Sequence, residues 1–249
     1  MSSIGLQLAK QIARLSGVAA VAVALVGCQS IAGTQQYSQV RVIDASVDAG
    51  GLDIYENKAA FAYNIGFGTI SSYVPFPPAV YSFAVDAAGT KQQLAAVSGT
   101  AALGGQYTVL IGNVAASLQM TYLQDKTTPA PTGQFALRII DQSTRSTPVD
   151  IYLLPSGGSL NGVSPIATNL SFGSILNYTL TPAGTFAVIA VPTGTVPTAT
   201  TTSALYTGSQ VTYPGGSART ILLLDQQYIT MPGLQVITAD DYDSPSATS

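Results

Sequence analysis

A hexapeptide early in the chain, Arg41-Val42-Ile43-Asp44-Ala45-Ser46, returns as Arg138-Ile139-Ile140-Asp141-Gln142-Ser143, an offset of 97 residues. Asp53-Ile54-Tyr55 returns at the same offset as Asp150-Ile151-Tyr152. Phe67-Gly68-Thr69-Ile70 and Tyr73 then match Phe172-Gly173-Ser174-Ile175 and Tyr178 at 105, and Pro77 with Tyr81 match Pro182 with Phe186. Gly104 and Thr108-Val109-Leu110-Ile111 match Gly216 and Thr220-Ile221-Leu222-Leu223 at 112. Order is kept and only the spacers lengthen, as expected of one folding unit written twice. The first lengthening, by eight residues, falls where Pro155-Ser156-Gly157-Gly158-Ser159 stands in the second copy.

Within the repeat, apolar and polar residues alternate in Val40-Arg41-Val42 and in Leu52-Asp53-Ile54-Tyr55. A period of two places alternate side chains on opposite faces of a strand, so these segments read as half-buried β-strands. Across 249 residues, 24 Gly and 14 Pro punctuate Val-, Thr- and Tyr-rich runs. That composition favours strands and tight turns over helices. The fold expected is all-β: two tandem antiparallel β-sandwich domains, immunoglobulin-like or transthyretin-like, after an N-terminal signal helix. Apolar strand faces without helices to cover them must pack sheet on sheet.

Residues 1–17 carry Lys10 and Arg14 and no acid, and Val18 to Val26 form a short apolar run ending in Gly27-Cys28. A basic segment before an apolar stretch of roughly 7 to 15 residues is signal-peptide anatomy, too short to span a bilayer. Leu25-Val26-Gly27-Cys28 resembles the bacterial lipobox. That resemblance implies cleavage between Gly27 and Cys28, lipidation of Cys28, and a membrane partner reached through the lipid. Each buried CH₂ of such a chain contributes about 0.8 kcal/mol. With one cysteine in the chain, no intramolecular disulfide can form. Gln29, rather than Asp, follows the cysteine, and resemblance to enterobacterial lipoprotein sorting then implies the outer membrane of a bacterial cell envelope.

The organisation expected is a signal peptide (1–27), a lipidated tether (28–36), a first β-sandwich repeat (37–123), a Pro/Thr linker (124–134), a second repeat (135–239) and a disordered acidic tail (240–249). The repeated Val-Arg-Val-Ile-Asp-Ala-Ser, Asp-Ile-Tyr and Phe-Gly-Thr segments, with Pro182-Ala183-Gly184-Thr185-Phe186, resemble the DUF4397 domain. This bacterial family has no determined function and occurs in exported proteins, often in tandem. The resemblance implies no catalytic residue.

Several residues invite a role. Arg41 and Asp53, like Arg138 and Asp150, stand 12 apart with turn-rich sequence between them, and are expected to face one another as ion pairs across adjacent strands. An anion site at the arginine is the alternative. Asp44 and Asp141, each two residues before a serine, read as turn-stabilising carboxylates. A calcium site from Asp44, Asp48 and Asp53 is the competing use of these acids. Arg145 stands near the place of Asp48 in the second copy, so the ligand set does not repeat. No metal and no cofactor is expected. Tyr73, Tyr81, Tyr107, Tyr178 and Phe186 are expected to pack against sheets.

The chain has no histidine, which removes a Ser-His-Asp triad and His-based metal chemistry. Nor is there a paired-carboxylate arrangement or a Gly-Lys-Ser/Thr phosphate loop. Lys+Arg 9 against Asp+Glu 12, without a basic cluster, argues against nucleic acid as a partner. What remains is a non-catalytic envelope lipoprotein, a spacer or adhesin-like module meeting another envelope component. The alternative is a module binding a glycan or small ligand at the loop end of a sandwich.

Overall fold

The computed structural model describes residues 37–195, 197, 203–227 and 233–242. Gly27, Cys28 and the rest of residues 1–36 lie outside them, as do 243–249. Residues Tyr37–Ser249 cluster as a single compact unit. The first half contributes β1 (Ser38–Asp44), β2 (Leu52–Glu56), β3 (Ala59–Ile65), β4 (Val74–Phe76), β5 (Ala79–Ala87), β6 (Gln93–Ala101), β7 (Gln106–Gly112) and β8 (Gln119–Gln124). The second contributes β9 (Gln134–Asp141), β10 (Val149–Pro155), β11 (Ala167–Leu170), β12 (Ile175–Pro182), β13 (Gly184–Pro192), β14 (Tyr206–Tyr213), β15 (Ala218–Asp225) and β16 (Leu234–Tyr242). One short 3-10 turn, Ala115–Ser117, is the sole helical element among the described residues.

The strands form four four-stranded sheets: β4-β1-β7-β8 and β3-β2-β5-β6 in the first half, β12-β9-β15-β16 and β11-β10-β13-β14 in the second. The strand order of each half maps onto the other by adding eight to the label. The protein is therefore all-β, in two sandwich-like halves. Within each half one neighbouring pair is parallel, β1 with β7 and β9 with β15, and the other pairs run antiparallel.

Alternation along the central strands shows how the layers stack. Val40, Val42, Val109 and Ile111 point into the core of the first half, among Leu52, Ile54, Phe83 and Val85. Leu137, Ile139, Ile221 and Leu223 do the same in the second, among Val149, Ile151 and Ala190. The residues between them, Ile43 and Leu110 on one side and Ile140 and Leu222 on the other, meet in a third apolar cluster that joins the halves. The inner sheets are thus buried on both faces, and every residue of β15 is buried. Strands in that position read as nearly continuous apolar runs, such as Ile221-Leu222-Leu223-Leu224.

One boundary expectation is corrected by this packing. The Pro/Thr segment between β8 and β9 lies against the body: Ala130 is buried and donates its N–H to the Gly216 carbonyl, and Asp125 is 4% exposed. The expected acidic tail begins inside a strand, since Asp240 and Asp241 belong to β16, and Asp241 is 2% exposed. Both carboxylates are buried because they answer charges from the opposite half.

Candidate functional site

The expected pairs Arg41–Asp53 and Arg138–Asp150 do not form. β1 and β2 lie in different sheets of the sandwich, so Arg41 points away from Asp53 and into the junction between the halves. Its guanidinium donates to the carboxylate of Asp241 and, through Nε, to Thr108 Oγ1 at 2.9 Å. Arg138 donates to Asp125 Oδ1 at 2.5 Å and to Thr220 Oγ1 at 2.8 Å. Each arginine also reaches the other carboxylate more distantly, Arg41 to Asp125 at 3.8 Å and Arg138 to Asp241 at 3.9 Å. Two cations and two anions therefore share one pocket with side chains almost wholly removed from water.

The remaining lone pairs and ring faces are filled in the same doubled pattern. Tyr73 donates its hydroxyl to Asp125 Oδ2 and lies under the Arg41 guanidinium, 4.6 Å from ring centroid to Cζ. Tyr178 does the same for Asp241 and Arg138, with 4.8 Å over the ring. Thr108 gives Asp125, and Thr220 gives Asp241, a second hydroxyl donor beside the tyrosine. Burial and the neighbouring carboxylates push both tyrosine hydroxyls above their ordinary range, so they stay neutral donors. Burial works against the Arg138 charge, but Asp125, Tyr178 and Asp241 together raise its pKa. A buried cluster so fully satisfied holds structure; it offers no open coordination site or reactive group.

The other expected residues serve their own loops. Asp53 accepts from the backbone N–H groups of Asn64 and Gly89, and Asp150 from the Asn169 backbone N–H and the Thr193 hydroxyl. Asp44 accepts from Ser46 N–H at 2.9 Å and Asp141 from Ser143 N–H at 2.7 Å. The Phe-Gly-Thr turn clips onto the same strand end: Gly68 N–H donates to the Asp44 carbonyl and Gly173 N–H to that of Asp141. This explains why the two motifs recur together. Asp48 accepts from Ala115 N–H, so Asp44, Asp48 and Asp53 each face a different backbone group. Tyr81 is buried in the first core and Tyr107 stacks on Tyr122.

An open feature lies on the outer sheet of the first half. Tyr55, Asn57, Lys58, Ser82, Asp86 and Lys91, with Gln93 and a floor of Ala84 and Ala96, line a hollow of about 810 Å³. In register, Tyr55 sits opposite Ala84 and Asp53 opposite Asp86. Tyr63 meets Tyr55 edge to face, with centroids 6.4 Å apart. In the sequence Tyr55 stood out only as part of a repeated strand, and the other lining residues carried no signal.

Fold and site define a class: an all-β protein of two sandwich-like halves, fastened by a buried ion cluster and carrying a hollow on an outer sheet. Residues 38–152 match the family model "Domain of unknown function (DUF4397)". The match starts at β1, covers the first half and ends in β10 of the second. No curated protein matches the chain. Among solved structures, the carbohydrate-binding module CBMbc (family CBM26) of Eubacterium rectale Amy13K, crystallised with maltoheptaose, is similar at 12% identity and a TM-score of 0.25. That comparison covers 84% of this chain and 98% of the module.

Proposed function

We propose that this chain is a non-catalytic lipoprotein of a bacterial cell envelope, held to a membrane by acyl chains on Cys28 and presenting a stiff interaction module. One observation carries the reading: Arg41 with Asp241 and Arg138 with Asp125 fasten the halves into one body, with no reactive group left open in that junction. A spacer must resist bending, and charges buried in opposite halves penalise any hinge that would strand them. The second half is read as a second copy of the DUF4397 fold, supported by its matching strand order.

Fatty-acid labelling tests the anchor. Cells expressing the full chain should incorporate label and carry the protein in the membrane fraction. Cys28→Ala should lose both. Label retained by Cys28→Ala, or a chain that stays soluble with Cys28 intact, would overturn the reading.

A further inference from the structure

We propose that the hollow on the outer sheet of the first half binds an acidic sugar, its carboxylate held by Lys58 and Lys91 and its ring laid against Tyr55. The proposal rests on the interaction-module reading and names that module's ligand. It also moves the site from the loop end of a sandwich to a sheet face.

Comparison of the two halves carries the argument. Tyr152 is the counterpart of Tyr55, and it pairs with Ile189 as Tyr55 pairs with Ala84. In the second half this face is closed. Tyr152 is 4% exposed and packs with Leu160, Ala187, Ile189 and Val191, Leu160 coming from the longer loop that follows β10. In the first half the loop between β2 and β3 is only Asn57-Lys58, and nothing among the described residues covers the face. The residues on this face have changed to match: Ser82, Ala84 and Asp86 stand where the second half has Ala187, Ile189 and Val191. One face has a dry lid, and its twin has a wet, shaped floor.

The lining then specifies the ligand. All four arginines of the described chain are engaged in ion pairs, Arg41 and Arg138 in the junction, Arg145 with Asp225 and Arg219 with Asp240. Lys58 and Lys91 form no ion pair with any described residue, and both line this hollow. In a chain of net charge −3, two uncommitted cations on one concave face attract an anion. Asn57, Ser82 and Gln93 both donate and accept hydrogen bonds, and Asp86 accepts, which suits sugar hydroxyls that do both. Tyr55 offers an aromatic face to the C–H side of a pyranose. A bare phosphate would leave the ring face of Tyr55 unused and would be repelled by Asp86, and a neutral sugar would leave both lysines unused. The volume falls within the roughly 300–1,000 Å³ typical of ligand sites.

The test is titration calorimetry of the detergent-solubilised full chain with trigalacturonate, maltotriose and inorganic phosphate. Trigalacturonate should bind saturably, about tenfold or more tighter than maltotriose, and weaken as salt rises. Phosphate at equal concentration should not displace it. Lys58→Ala/Lys91→Ala should lose at least about tenfold in affinity, as should Tyr55→Ala, with Lys126→Ala unchanged. The double lysine variant alters only exposed side chains, so its folding is not at risk. No saturable binding of trigalacturonate, equal binding of maltotriose, displacement by phosphate, or full affinity in the lysine variant would each overturn the proposal. None of these bears on fatty-acid labelling at Cys28, so failure of the ligand and failure of the anchor are read separately.

Discussion

Arg41 and Asp241 are bonded to one another at the junction of the two halves although 200 residues separate them in the chain. Arg138 and Asp125 repeat the bond in the opposite sense, cation from the second half and anion from the first. Since each anion sits at the end of the last strand of its half, neither sandwich completes its own charge balance.

Removing one member should therefore destabilise the whole body. Arg138→Ala leaves Asp125 buried opposite a void, a situation that costs about 3–5 kcal/mol. The double variant Arg138→Met/Asp125→Leu removes both charges and should lose less than Arg138→Ala alone. Urea unfolding of the three proteins checks the order. A double variant less stable than the single one would mean that the hydroxyls of Tyr73 and Thr108, not the charge, dominate at Asp125.

Tyr73→Phe separates ring from hydroxyl. The ring keeps its place against Arg41, while Asp125 Oδ2 loses one of its donors. A lost hydrogen bond to a buried carboxylate costs about 1.5–3 kcal/mol, and the urea midpoint should fall accordingly. Tyr178→Phe should cost a similar amount, because Asp241 has the same set of partners.

Asp44 supplies a pH dependence of unusual sign for an acidic chain. Burial pushes its carboxyl up to about 7, with Ser46 N–H pulling it part of the way back, and its Oδ2 has no hydrogen-bond partner. Asp141 is raised for the same first reason. A carboxyl with a folded value above its unfolded 3.8 binds its proton more tightly when folded. Its contribution is complete below about pH 4 and is lost as pH rises through about 7, on the order of 4 kcal/mol for the full shift. Stability should fall between those limits, and Asp44→Asn should flatten the fall. Urea midpoints at several pH values would show it; an equal slope in both proteins would remove Asp44 as the cause.

The strands were legible in sequence because a period of two is local: Val40, Val42 and Ile54 announce their faces through their immediate neighbours. The partners of Arg41 and Arg138 were not. A common twelve-residue spacing across turn-rich sequence singled out Asp53 and Asp150, whereas register and sheet membership, which no local pattern records, sent the guanidiniums elsewhere. Asp125 and Asp241 were concealed by their surroundings, one in Pro/Thr-rich sequence and one in an acidic terminus. A signal for them existed. They stand 116 apart, close to the offset of 112 that relates Thr108 to Thr220, their eventual hydrogen-bond partners. The hollow was partly written too, in the loop after Tyr152 that the first copy lacks, but what that loop covers is a tertiary fact.

Gly99 in β6 lies directly against the ring of Tyr122 in the first core. A Cβ there would come within 2.1 Å of the Tyr122 ring, which stacks on Tyr107 at 5.0 Å and on Phe83 at 6.0 Å. Tyr122 cannot move aside without opening that stack, so Gly99→Ala should destabilise by about 1–3 kcal/mol, the usual cost of overpacking. Tyr122→Leu makes room but loses the stacking and should itself be destabilising. If the clash is the cause, Gly99→Ala should cost far less in the Tyr122→Leu background than in the wild type, a coupling readable in a double-mutant cycle. Additive losses would instead place the effect in the backbone of β6, independent of the ring above it.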